Sequence, residues 1–155
     1  MDQTIARISA YLSTCATSAD FNPMAIAGAL PNVYLLDIER DAAGPPKLRI
    51  KLMGTALETA FGRPLAGHYL ESFIHGPRGA DVIRGFHDCA LSHDPLWMRQ
   101  VVRLQKGGLR FVEGVLFYLE PERIYGGLAI GEWTHSEESS FEREPIVRAA
   151  TPTTR

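Results

Sequence analysis

Between His75 and Asp94 the chain carries His75, Asp81, His87, Asp88, His93 and Asp94, side-chain types that hold metal ions or move protons. Their spacing argues against a shared ion. Two ligands on one helix face stand four residues apart, as in H-x-x-x-H. His87 and His93 are six apart, and Asp88 and Asp94 repeat the mismatch. The set reads as a solvated helix face and its polar end. His87 and Cys89, two apart on a helix, point in different directions and make no nucleophile–base pair. The run Gly126-Gly127-Leu128-Ala129-Ile130-Gly131 lacks G-x-G-x-x-G spacing and a following helix, and neither a G-x-S-x-G elbow nor a P-loop occurs. Those glycines are expected to allow close backbone packing, against the first helix or a ligand. Arg99, Arg103 and Arg110 form a stripe that could meet a carboxylate or phosphate, with a cross-strand ion pair to Glu113 as the simpler reading.

The elements that would position these residues follow from periodicity. Ile5, Ile8, Leu12 and Cys15 recur at three- and four-residue spacing, which predicts an amphipathic helix over 3–17. Its apolar stripe needs cover from the domain or from a second subunit. VYLLDIER (33–40) reads as the first strand, Gly44-Pro45-Pro46 turns the chain, and KLRIKLM (47–53) returns as the second. In that return Leu48, Ile50 and Leu52 are expected on one face and Arg49 and Lys51 on the other. Met53-Gly54-Thr55 breaks the alternation before a short helix at 55–61. A bend rich in Gly and Pro, a single turn near 69–73 and a helix from about Gly79 to Ser92 come next, with Val82, Ile83, Phe86, Cys89 and Ala90 on the apolar side. Three strands end the domain, at 95–105, 109–121 and 123–133, the first two joined through Lys106-Gly107-Gly108. They are apolar on both faces, so both faces should be covered. The expected order is helix, two strands, helical insert, three strands. That describes an α+β domain.

Composition bounds the function. The 155 residues suffice for one domain, and 45% hydrophobic with 22% charged residues is ordinary for a globular chain. A net charge of −2 with scattered Lys and Arg offers no basic face for phosphates, so nucleic acid is not an expected partner. Two cysteines make no disulfide framework and fit a reducing compartment. No apolar run reaches the roughly 18 residues of a membrane span, and the N-terminus lacks an apolar signal core. A cytoplasmic location without membrane insertion is expected.

The stretches LPNVYLLDIER, RIKLMGTALETAFGRPLAG, YLESF and QVVRLQKGGLRFVEG, in this order of elements, resemble a divergent bacterial PAS-domain family whose members are often little more than one PAS domain. The G-T-x-L-x-x-x-F-G-R-x-L-x-G run is the most distinctive part. The resemblance implies a PAS-like five-stranded antiparallel sheet at 30–133, with short helices on one face. It makes 1–29 an N-terminal cap helix and linker, and leaves 134–155 as a disordered or loosely packed tail. It also implies a stand-alone, non-catalytic sensory or protein-interaction domain in bacterial signalling, acting as a homodimer or on an unidentified signalling protein. No cofactor follows from it. GTALETAFGRPL lacks the cysteine of flavin photochemistry, and His87, a haem-ligand position in kind, is expected on the polar side of its helix.

Apolar pocket candidates are Tyr34, Leu36, Leu52, Phe61, Phe73, Phe86, Val102, Leu104 and Leu116, residue types that core and ligand wall share. Ile5, Ile8 and Leu12 are the candidate dimer interface. The alternative is a nuclear-transport-factor-like cone fold acting as enzyme or carrier, which would lead with its helices and bury a His/Asp pair.

Overall fold

The computed structural model describes all residues except Ala42, Phe73, His75, 105–107, 133–140 and 148–155; for 76–78, 102–104, 108–109 and 132 it describes the backbone alone. Six strands form one antiparallel sheet: β1 Val33–Glu39, β2 Lys47–Met53, β3 Leu96–Leu104, β4 Gly108–Leu119, β5 Arg123–Glu132 and β6 Glu142–Pro145. Their order across the sheet is β2-β1-β5-β4-β3-β6. Helices α1 Gln3–Leu12, α2 Thr55–Phe61 and α3 Gly76–Ser92 complete the fold, with 3-10 segments at Ser18–Asp20, Pro23–Asn32 and Leu70–Ser72.

Alternation along β4 builds two cores from one strand. Leu116 and Tyr118 turn toward α2 and α3, where they meet Leu36, Ile38, Leu48, Ile50, Leu57, Val82 and Phe86. Val115, Phe117 and Leu119 turn the other way and meet Ile5, Ile8 and Leu12 of α1 with Ile26 and Ala29 of the 3-10 segment. Both faces are covered, as the two-sided apolar strands require. The helices are not confined to one face, because α1 and Pro23–Asn32 form the second layer.

Local signals start and stop these helices. Asp2 caps α1, its carboxylate accepting from Thr4 N at 2.8 Å and Ile5 N at 3.1 Å. That helix ends at Leu12, short of the expected 17, with Ser13 as cap, so Cys15 lies beyond it, though still buried. α2 ends at Gly62, whose φ of +79° fits glycine. Gly54 is required for a different reason: a Cβ there would collide with the Leu30 and Pro31 carbonyls, so the chain leaves β2 pressed against the 3-10 segment. The break after β2 thus lays short helices across the sheet. α3 begins at Gly76, earlier than Gly79, and closes on His93 in the left-handed region, with His93 N donating to Cys89 O at 2.9 Å.

The sheet has six strands, not five. β6 lies in the segment expected to be a loose tail and pairs with β3 from Leu96↔Pro145 to Arg99↔Glu142. Phe141 packs against the α3-side core and Ile146 against the α1-side core, so the strand is anchored on both sides of its edge.

Ile5, Ile8 and Leu12, expected at a dimer interface, are fully buried within the chain. The sheet covers the α1 stripe, so these residues offer nothing to a second subunit. The seat is Gly127 on β5, where an added Cβ would lie 2.5 Å from Ile8 Cδ1. Gly127→Val should therefore destabilise the protein by about 1–3 kcal/mol through overpacking. Chemical denaturation of Gly127→Val, Ile8→Ala and the double variant checks this. The double variant should lose less than the sum of the singles, and strict additivity would show that the two residues do not share this contact.

Candidate functional site

Four pocket candidates meet in the α3-side core. Tyr34, Leu36, Phe86 and Leu116 are all buried, and the Tyr34 and Phe86 rings lie 6.1 Å apart between centroids. Burial pushes the Tyr34 hydroxyl well above its ordinary range, with the Cys89 thiol adding to the effect. The hydroxyl thus stays neutral and donates to Val115 O at 2.9 Å across the sheet. Phe61 packs on the same core while partly exposed. Phe73, and the side chains of Val102 and Leu104, fall outside the described residues, as does His75.

Leu52 is not in that core; it is 51% exposed, while Met53 turns inward in its place. The cause is a bulge. Leu36 pairs with Ile50 but Leu35 pairs with Leu52, so Lys51 is an extra residue that reverses the phase of the strand.

Beside this core a shallow cleft of about 540 Å3 opens to solvent between the Leu70–Ser72 turn and α3. Ile74 and Ile83 form its apolar part, and Glu71, Arg84 and His87 its polar part. His87 Nε2 stands 3.4 Å from Glu71 Oε1, and both side chains are mostly buried. Glu71 also accepts Leu48 N at 3.0 Å, closing an outward-facing donor of the edge strand β2. His93 is elsewhere, stacked on the Tyr118 ring at 3.6 Å. The two histidines therefore share no ion, and among the described residues no three His, Cys, Asp or Glu side chains converge on one.

The opposite face of β1 and β2 carries charge. Glu39 receives Arg49 Nε at 3.0 Å and the Tyr69 hydroxyl, and the Arg49 guanidinium lies over the Tyr69 ring at 4.4 Å. Asp37 receives Arg123 Nε at 3.2 Å and stands 4.0 Å from Lys51 Nζ. Hydrogen bonds from Arg49 and then Tyr69 hold the Glu39 carboxyl below its ordinary range. At the far end of α3, Arg40 joins Glu122 to the Ala90 carbonyl at 2.8 Å, placing a cation at the negative end of the helix. Burial opposes ionisation of Glu122, but hydrogen bonds from Arg40 and Tyr118 outweigh it and keep its pKa low.

Of the arginine stripe, the side chain of Arg103 lies outside the described residues. Arg99 does stand opposite Glu113 in the β3–β4 register, and its guanidinium lies over the Phe111 ring at 4.2 Å. Glu113 accepts Trp97 Nε1 at 2.9 Å and Asp2 N at 2.6 Å, tying α1 to the sheet. The polar groups that sequence reasoning missed are Glu71, Tyr69 and Gln100. No periodicity marks Glu71 and Tyr69, since each acts through a contact made by a turn.

Fold and site together define an α+β domain with a six-stranded antiparallel sheet and a separate core on each face, and among its described residues no helix is long and apolar enough to cross a membrane. No protein-family model matches the chain, and no curated protein matches it.

The carboxylates set an acid limit on stability. Folding lowers the pKa of Glu39 and Glu122, so their contribution is complete above about pH 4.5 and is lost as pH falls through the lower folded values. Glu39→Gln should lower the melting temperature at pH 7 and leave it close to the parent at pH 3. Thermal melts at the two pH values check this; a deficit of the same size at both would mean that the Glu39 charge is not what matters.

Proposed function

We propose that this chain is a non-catalytic PAS-type sensory and protein-interaction domain, cytoplasmic and part of bacterial signalling, taking a small apolar or amphipathic ligand in the α3-side core. Supporting the reading is the order of elements: a hairpin, short helices leading to a long one, and a three-stranded meander, as in the PAS resemblance. The observation that carries it is the sharing of one sheet by two cores. Leu116 and Tyr118 face the ligand side while Val115, Phe117 and Leu119, on the same strand, face α1. A ligand that packs better against one arrangement of the strands shifts the population toward it, by no more than its difference in affinity. α1 rests on β4 and β5 and follows them.

Output then passes to a homodimer partner or a signalling protein through surfaces other than the α1 stripe, such as the charged outer face of β1 and β2. The cone-fold alternative needs an interior His/Asp pair. Among the described residues, which leave out His75, His87 meets Glu71 in an open cleft and His93 lies on Tyr118, which favours the sensor.

Native mass spectrometry of freshly purified protein tests the proposal. The expected result is a dimer carrying extra mass that denaturation removes. A ligand-free monomer would overturn both the sensing mechanism and the homodimer.

A further inference from the structure

Along β3, Leu96 and Met98 enter the α3-side core, and Gln100, two residues on, follows them to the same face. Gln100 is 8% exposed and pairs in register with Val112, itself 6% exposed, which in turn pairs with Ile130. An amide is thus set among aliphatic neighbours. Its Oε1 is buried and has no hydrogen-bond partner among the described residues. Buried acceptors are almost always met, and one left unmet signals a missing water, ion or ligand.

The apolar surface of that core is also incompletely covered. Phe61, Ile74, Ile83, Leu128 and Ile130 pack against the same core but remain partly exposed. Ile74 and Ile83 also line the cleft that opens at Glu71 and His87, so the apolar surface continues from the core to solvent.

Resting on the pocket reading above, we propose that Gln100 is the polar anchor of the ligand site, and that the ligand is a neutral molecule with an apolar body and one O–H or N–H donor, of phenol, indole or naphthol type. The body covers the partly exposed aliphatic groups, and the donor satisfies Oε1. A carboxylate brings no proton to that oxygen.

The test uses the full chain, with 1-naphthol and its donor-free isostere 1-methoxynaphthalene as probes, followed by calorimetric titration and thermal melts. 1-Naphthol should bind the parent roughly tenfold more tightly than the methoxy compound, the worth of one net hydrogen bond. Gln100→Leu should bind both equally and, without ligand, melt higher than the parent, because it removes an unmet polar group. Gln100→Met, close in volume, repeats the comparison if the leucine variant folds poorly. Equal binding of the two probes to the parent overturns the anchor role and leaves the pocket standing. Binding of neither overturns the inference, and the native mass measurement then decides the pocket separately. Variants that both melt lower than the parent would show the amide already bonded, as by a buried water, and would overturn it as well.

Discussion

Two-sided burial of β4 and β5 is the constraint on which the rest of the structure depends. Residues 115–119 are all buried, alternately on opposite faces, so neither face can be left to water. One layer cannot satisfy such strands. The insert between β2 and β3 supplies the first and the N-terminal segment the second, and the placement of α1 follows from this. Its stripe is as apolar as an oligomer interface would be, yet the nearest surface needing it is the sheet of its own chain. Asp2 reinforces the docking twice, capping the helix with its carboxylate and donating its backbone N–H to Glu113 on β4.

The ends of the sheet obey a second constraint, that unpaired strand edges invite foreign pairing. At the β2 edge, Ile50 N donates to His68 O at 2.8 Å and Gly67 N to Ile50 O at 2.7 Å, while Glu71 takes Leu48 N. At the β3 edge, β6 supplies a short, charged, proline-ended strand held by Phe141, Ile146 and an Arg143–Asp88 ion pair of 2.9 Å. Glu71 thus serves edge closure and the cleft at once, and a change there would disturb both.

What was legible in the sequence was whatever side-chain periodicity encodes. Strands β1 to β5, α2 and α3 fall within a few residues of their expected places, because each alternates or repeats against a buried face. The same signal placed Tyr34, Leu36, Phe86 and Leu116 in one core. It failed where backbone geometry decides. In LRIKLM both Leu52 and Met53 are apolar, and only the bulge opposite Leu35 and Leu36 determines which turns inward. β6 escaped notice because Glu142, Arg143, Glu144 and Pro145 are all exposed and join through the backbone. The flanking Phe141 and Ile146 were the available clue. Gln100 was hidden for the opposite reason, since one polar residue in an apolar strand looks like the solvent side until the pleat is counted.

The two central glycines of β5 show how the cores are linked. Gly126 leaves room on the α3 side, where a Cβ would collide with the Tyr34 hydroxyl and the Val115 carbonyl; Gly127 leaves room on the α1 side for Ile8. Adjacent residues on one strand thus lack side chains on opposite faces, Gly126 making room for Tyr34 and the Val115 carbonyl of the sheet and Gly127 for Ile8 of α1. A displacement of β5 that lengthens one contact must tilt the other, because packed interiors have little compressibility. The Tyr34–Val115 hydrogen bond fixes β1 to β4 beside this point, so the hairpin β1–β2 cannot move independently of it. The polar groups of the α3-side core therefore differ in kind. Tyr34 is bonded and ties strands together, whereas Gln100, farther along β3, has an Oε1 with no partner among the described residues. On the proposed reading, a group bound at Gln100 acts on β3, and the paired strands β4 and β5 connect that strand to α1.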